Sequence, residues 1–340
     1  MPVNALTGKD YLSTLFAKDS LTEEQSQDCL TRIFSGEFEE TQITSLLRLL
    51  REKGESVDEV VGFAKAMRSH MAKVFLPGQC IDLCGTGGSG KNRFNVSTAA
   101  AFVLATLGEL VAKHGNRGSS KPNGSFDFLE KLGVAFEDNA SRLTDLYAKT
   151  GMAFLFARNH HSAMRYVAPS RKALGGRTIF NLLGPLCNPA SVRYQVIGTT
   201  SEPIAMLIAE AIQRLSVKKA LIIVGGDGYD ELSITKPSKI LEVTQDNILR
   251  SSFDPGFIGA SDQKAVAFGG TATENASLFV DIMATGNTDH FVAKKIAVNV
   301  GAALYCLGRV SSIQEGYDRA MVIIASKKVW NKLDKYKQLA

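Results

Sequence analysis

From about residue 78 onward the chain alternates short apolar runs, bounded by turn residues, with stretches spaced like helices. "CIDLCGT" reads as a buried strand, and a glycine loop then leads into the helix "VSTAAAFVLATLG". "ELVAKHG" is the next strand, and "FDFLEKLGVAF" reads as helix then strand. "MAFLFA", "YQVIGTT", "KALIIVGG" and "AVAFG" are further short apolar strands, with helices such as "EPIAMLIAEAIQRLS" between some of them. A chain patterned this way buries itself as a largely parallel sheet with helices on both faces. Ligands of such sheets sit beyond the carboxyl ends of the strands.

The first 72 residues have a different texture. Leu30, Ile33 and Phe34, then Ile43, Leu46, Leu47 and Leu50, recur at helical spacing. Thr22 with Gln25, and Ser56 with Glu59, match the Ser/Thr-x-x-Glu/Gln pattern of a helix start, while Gly36 and Gly54 mark helix ends. Residues 162–189 also read as helical, although they stand between two strands, and they are long enough to return to the N-terminal layer. The fold class expected is therefore α/β, with a small helical domain and a large α/β domain whose central sheet is mainly parallel. The helical domain would comprise residues 1–72 with 162–189. The α/β domain would comprise 73–161 and 190–340, with the site in the cleft between them.

With 340 residues, 45% hydrophobic and 21% charged, the chain has ample material for such a core. No apolar run reaches the roughly 18 residues of a spanning helix. "MPVNALTGKDYLSTLF" lacks the pattern of a secretory signal, so a cytoplasmic protein without a membrane span is expected. The five cysteines are scattered; Cys80 and Cys84 have no second Cys/His pair and read as free thiols rather than a zinc site. The net charge of +5 suits anionic metabolites and equally permits weak nucleic-acid binding.

Two loops narrow the chemistry. In "CGTGGSGKNRFNVSTAAAF", Cys84–Phe102, glycines let backbone N–H groups approach an anion, and the following helix start adds unpaired N–H groups and partial positive charge. Asn95, Ser97 and Thr98 supply side-chain donors there. The stretch is neither a dinucleotide-binding fingerprint nor a Walker A loop, and a tight strand-to-helix turn is the simpler alternative. "AKHGNRGSSKPNGSFD", Ala112–Asp127, again follows a strand and precedes a helix, and it groups Lys113, His114, Asn116 and Arg117 with Ser119, Ser120, Gly124 and Ser125. Two such loops after consecutive strands could face one ligand with more than one phosphate. In "IIVGGDGYDELSIT", Asp230 and Glu231 follow a strand and a glycine turn, as carboxylates serving Mg²⁺ beside phosphate oxygens would. Among the arginines of the helical insert, Arg171 is the candidate for a planar carboxylate. His160 and His161 read as packing or hydrogen-bonding residues.

These stretches resemble the anthranilate phosphoribosyltransferases: "GTGGSG", "NVSTAAAF", "KHGNR", "RKALGGRTIFNLLGPLCNP", "DGYDE" and the late "NVGAALYCLG" occur in that family's order, over nearly the whole chain. The resemblance implies that Gly85, Gly88, Ser89, Asn95, Ser97, Thr98, Lys113 and Ser125 hold phosphoribosyl pyrophosphate. It implies Ser97, Asp230 and Glu231 for Mg²⁺, and Gly85, His114, Asn116, Arg171 and Gly184 for anthranilate, with Arg171 on its carboxylate. It also implies a homodimer joined through the helical domain, and catalysis by positioning and charge stabilisation without a protein nucleophile. Ser89 stands where the family often has Asp, Pro122 and Asn123 alter the serine-rich segment, and Gly225-Gly226 replaces a frequent His-Gly. A related phosphoribosyltransferase with another acceptor, a pyrimidine nucleoside phosphorylase and a nucleic-acid-binding relative are the other readings.

Overall fold

The computed structural model describes residues 6–87, 93–118, 122–136, 139–259 and 269–340. Helices α1 (Gly8–Phe16), α2 (Glu23–Phe34), α3 (Glu40–Lys53) and α4 (Val57–His70) form the N-terminal bundle. The starts of α2 and α4 are those expected from sequence. Thr22 Oγ1 accepts the Gln25 N–H at 3.2 Å while Gln25 Oε1 accepts the Thr22 N–H at 2.9 Å. Ser56 and Glu59 make the same reciprocal pair. Gly54 ends α3 at φ +87°, a conformation closed to most side chains.

The sheet is built from β1 (Cys80–Gly85), β2 (Leu110–Gly115), β3 (Met152–Phe156), β4 (Tyr194–Thr199), β5 (Lys219–Val224), β6 (Ser238–Thr244) and β7 (Ile248–Phe253), in the order β3-β2-β1-β4-β5-β6-β7. The first five are parallel to one another. β6 and β7 run antiparallel as a hairpin that sequence reading passed over. β7 is an edge strand with a mostly exposed row of side chains, so it lacks the continuous apolar run that marks the central strands.

Two further differences concern short runs. After α6 (Ser125–Lys131) the run Gly133–Phe136 is not a strand. Gly133 at φ +76° turns the chain, and the Val134 N–H closes back on Leu129 O at 3.0 Å, so Val134 enters the core from a loop. "AVAFG" lies almost entirely outside the described residues, and its last residue is not in a strand.

Successive strand residues face opposite layers. Leu83, Val196, Leu221 and Ile223 point to one core, shared with α5 (Val96–Thr106) and with α12 (Ala272–Thr285), α13 (Phe291–Cys306), α14 (Ile313–Ala325) and α15 (Lys328–Leu339). Ile197, Ala220 and Ile222 point to the other core, which holds the N-terminal bundle together with α11 (Glu202–Arg214).

The 162–189 segment joins this second core as a 3-10 turn (Ser162–Tyr166), α9 (Ala168–Leu174) and α10 (Phe180–Leu186). Ser170 Oγ donates to Glu40 O at 3.1 Å, and Arg51 donates to Gly175 O at 3.0 Å. Arg68 of α4 donates to Leu186 O at 2.7 Å and to Leu215 O at 3.2 Å, tying down the ends of α10 and α11. All five cysteines are free. No described helix is long and apolar enough to cross a membrane.

Candidate functional site

The strand order reverses between β1 and β4, which places a crevice at the carboxyl ends of these two strands. Asp230 fills its floor. A Cβ at Gly85, the last residue of β1, would overlap the Asp230 carboxylate, and one at Gly198 of β4 would overlap the Asp230 backbone. Both glycines are therefore needed to let the turn after β5 fold over the sheet end. Within that turn Gly225 N–H donates to Tyr229 O at 3.1 Å. Asp230 Oδ1 is ion-paired with Arg93, which lies just ahead of α5, while its Oδ2 is buried with no hydrogen-bond partner. Glu231 is paired with Lys295 of α13 at 2.7 Å, both side chains buried. Burial works against the Lys295 charge, but Glu231, Asp227 and Tyr229 together leave the ammonium above its ordinary pKa.

At the start of α5, Thr98 is buried and Ser97 half-buried. Asn95 is engaged within the protein. Its amide donates to Asn123 O at 3.1 Å and Gly124 O at 3.3 Å, and its oxygen accepts from Asn275 at 3.0 Å. Asn275 also donates to Arg93 O at 3.0 Å and to Asn123 Oδ1 at 3.2 Å, and accepts the Gly270 N–H at 3.1 Å. These three asparagines lace the approach to α5, the loop after β2 and the start of α12. Gly88 and Ser89 lie outside the described residues, as do Ser119 and Ser120.

The loop after β2 closes on itself. Ser125 Oγ donates to Asn116 O at 3.1 Å, and Asp127 Oδ2 accepts the Gly118 and Gly124 N–H groups, each at 2.8 Å. Lys113, expected at the phosphates, points into the sheet instead: its buried Nζ donates to Leu83 O at 2.6 Å. Burial lowers its pKa and the neighbouring Asp82 opposes that shift. Asp82 is itself fully buried and pushed up to about 6 by burial; it accepts from Asn188 at 2.8 Å and from the His114 N–H at 3.2 Å.

His114 Nδ1 meets Gly184 O at 3.2 Å, and its Nε2 is buried without a partner. A carbonyl accepts only, so Nδ1 carries the proton and Nε2 presents a lone pair. Burial, and then the neighbouring His161, hold His114 well below the usual histidine range. The His161 ring lies 5.2 Å from that of His114, its Nε2 is also unpartnered, and burial takes its pKa down to about 4. A Cβ at Gly184 would meet open space. Phe180 stands one turn earlier on the same face of α10, and Arg171 lies over its ring at 5.4 Å. Arg171 is half-buried, desolvation lowers its pKa, and it has no acidic partner among the described residues. His161 is the packing and hydrogen-bonding residue expected, set against the His114 ring and bonded to the Cys187 backbone, with only its Nε2 unpartnered. Arg93 and Lys295 join the sequence candidates as partners of the acids, which no local motif signals.

Fold and site together define a transferase class. Residues 9–71 match the glycosyl transferase family helical bundle domain, and residues 77–328 match the glycosyl transferase family a/b domain. Among its relatives is an anthranilate phosphoribosyltransferase of Geobacillus kaustophilus, 39% identical over 327 residues, 96% of each chain. Another, from Rubrobacter xylanophilus, is 40% identical over 309 residues, 91% of this chain and 90% of that one. The crystal structure of the Thermus thermophilus enzyme superposes with a TM-score of 0.89 at 35% identity, covering 97% of this chain and 99% of that one. The Saccharomyces cerevisiae enzyme in complex with PRPP and Mg gives a TM-score of 0.87 at 27% identity, covering 98% and 97%. The chain belongs to the anthranilate phosphoribosyltransferase family.

Proposed function

We propose that this protein transfers the phosphoribosyl group of phosphoribosyl pyrophosphate to anthranilate with release of pyrophosphate, the second step from chorismate toward tryptophan. The observation that carries this reading is Arg171: a half-buried guanidinium without an acidic partner among the described residues, lying over the ring of Phe180, which stands one turn of α10 before the open space at Gly184. Such a group favours a planar carboxylate on an aromatic ring. His114 Nε2, held neutral, accepts an N–H of the arylamine and aims its nitrogen lone pair at the ribose, while Asn116 and Gly85 complete the acceptor side. Positioning of this kind raises the rate without a covalent intermediate.

On the donor side, Gly85, Ser97, Thr98 and the start of α5 offer N–H and O–H donors to the pyrophosphate, with Gly88 and Ser89 in the adjoining loop. Lys113 and Ser125 support this pocket, Lys113 from beneath and Ser125 by fixing the loop. Asn95 serves it by holding three segments together. The bond from the anomeric carbon to pyrophosphate breaks with its electron pair on the leaving group, and the amine nitrogen bonds to that carbon and loses a proton. Hydrogen-bond donors aimed at the leaving group stabilise its growing charge.

Mg²⁺ fits the crevice. The buried, unpartnered Asp230 Oδ2 is a hard oxygen ligand, and no set of three His, Cys, Asp or Glu groups among the described residues forms a closed cage. Asp230, Glu231 and Ser97 would organise the ion, which would neutralise charge on pyrophosphate when bound.

The bonds from α3 and α4 to residues 162–189 support a helical domain made of both segments. The 79% exposed Phe16 at the end of α1 supports a homodimer formed through that domain. Purified protein mixed with anthranilate, phosphoribosyl pyrophosphate and Mg²⁺ should quench anthranilate fluorescence only when all three are present. Donor binding without quenching would overturn the choice of acceptor, and cleavage of thymidine or uridine by phosphate would replace it with a phosphorylase.

A further inference from the structure

We propose that Gln195 is a positioning residue for the acceptor: from β4 it holds the end of α10, so that Gly184 O stays on His114 Nδ1 and His114 Nε2 stays open. The proposal rests on the phosphoribosyl-transfer reading, which puts His114 and Gly184 on the acceptor side.

The last carbonyls of a helix lack helical partners, and in α10 side chains from three other elements take them. His114 of β2 meets Gly184 O at 3.2 Å, Gln195 Nε2 donates to Pro185 O at 2.7 Å, and Arg68 of α4 donates to Leu186 O at 2.7 Å. A longer helix could not serve Pro185 O, because the residue four positions on is Pro189, which has no N–H. Gly184 O has the Cys187 N–H as a second, longer donor at 3.4 Å. Gln195 is 2% exposed and points into the same apolar layer as Ile197, where an unbonded amide is unfavourable. Asp82, its register partner on β1, accepts from Asn188 at 2.8 Å, so two adjacent strands grip the chain at Pro185 and again at Asn188. Gly184 O and Pro185 O belong to successive peptide units. A shift of one moves the other, and with it the acceptor that fixes the His114 tautomer.

The test compares Gln195→Met, which keeps the length and loses the donor, with the unsubstituted protein. KM for anthranilate should rise about 10-fold, the worth of one buried hydrogen bond, while KM for phosphoribosyl pyrophosphate stays within about 2-fold. No change in either KM, equal rises in both, or a fall in kcat alone from a smaller folded fraction would overturn the proposal. A second readout needs no substrate. The nitrogen-15 shifts of the His114 ring, assigned by their loss in His114→Asn, should show Nδ1–H in the unsubstituted protein and a larger share of Nε2–H in Gln195→Met. An unchanged tautomer would equally sink the idea. Should Gln195→Met fail to fold, Gln195→Asn, whose amide is one methylene short of Pro185 O, is read in the same two ways. If the unsubstituted protein leaves anthranilate unconsumed, the phosphoribosyl-transfer reading fails, and the ring shifts alone decide whether Gln195 positions His114.

Discussion

Arg171 and Asp230 show how far a single residue can be read. Each stood out in sequence by type and neighbourhood, and each has an unpartnered polar group in the structure. Arg171→Ala should raise KM for anthranilate about 10- to 100-fold, the roughly 1.5–3 kcal/mol of a charge-assisted contact, with little change in KM for the donor. Steady-state kinetics with each substrate varied checks this; equal effects on both would remove Arg171 from the acceptor side. His161 carries a pH signature. Its folded pKa of about 4 lies below the ordinary 6.5, so its neutral form contributes fully above pH 6.5. That contribution is lost as pH falls toward 4, because only the unfolded chain takes up the proton. Asp82, raised to about 6, acts with the opposite sign: its contribution is present below its ordinary 3.8 and lost as pH rises through 6. The two partly cancel in the whole protein, so the variant must separate them. Denaturant midpoints of the protein and of His161→Asn should converge by up to about 3 kcal/mol between pH 7 and pH 4. Parallel profiles would mean that His161 is not buried neutral.

Elements were legible where their signals are local. The Thr22 and Ser56 helix starts, and the strands that end at Gly85 and Gly115, appear where the residues placed them because caps and apolar runs act over a few positions. The hairpin β6–β7 was not legible, because one strand is an edge whose pattern is set by solvent. The roles of Asn95 and Lys113 were not legible either. Their types suit a phosphate, but Asn275 and Leu83 O, distant in sequence, take up their hydrogen bonds. The asparagine lacing makes a prediction at this scale. Asn275→Ala leaves the Arg93 carbonyl, Asn95 and the Gly270 N–H short of partners, so it should cost roughly 2–3 kcal/mol in urea unfolding. It should also weaken donor binding by loosening the approach to α5. A stable variant with an unchanged donor KM would show that the three segments hold without it.

Two large cores lie on opposite faces of one sheet, with a smaller cluster around Ala112 and Leu155 of β2 and β3, and the N-terminal bundle shares the second large core with β4 and β5. Shared burial predicts shared cooperativity. Calorimetry should give one unfolding transition, and separate transitions for bundle and sheet would contradict the continuous core. Arg68 bridges these parts by donating to the ends of both α10 and α11. Arg68→Ala should lower stability by about 2–3 kcal/mol without splitting the transition, since it leaves two carbonyls short of a donor.

The sequence by itself determined the class of fold, the helix starts, the two glycine-rich loops and the acidic turn, because propensity, capping and strand patterning act between near neighbours. Only the tertiary structure decided which cation pairs with each carboxylate, which asparagine binds the protein itself, and which histidine nitrogens are buried without a partner. Each of those outcomes depends on burial and on partners brought together by the sheet order, and no local stretch of chain encodes them.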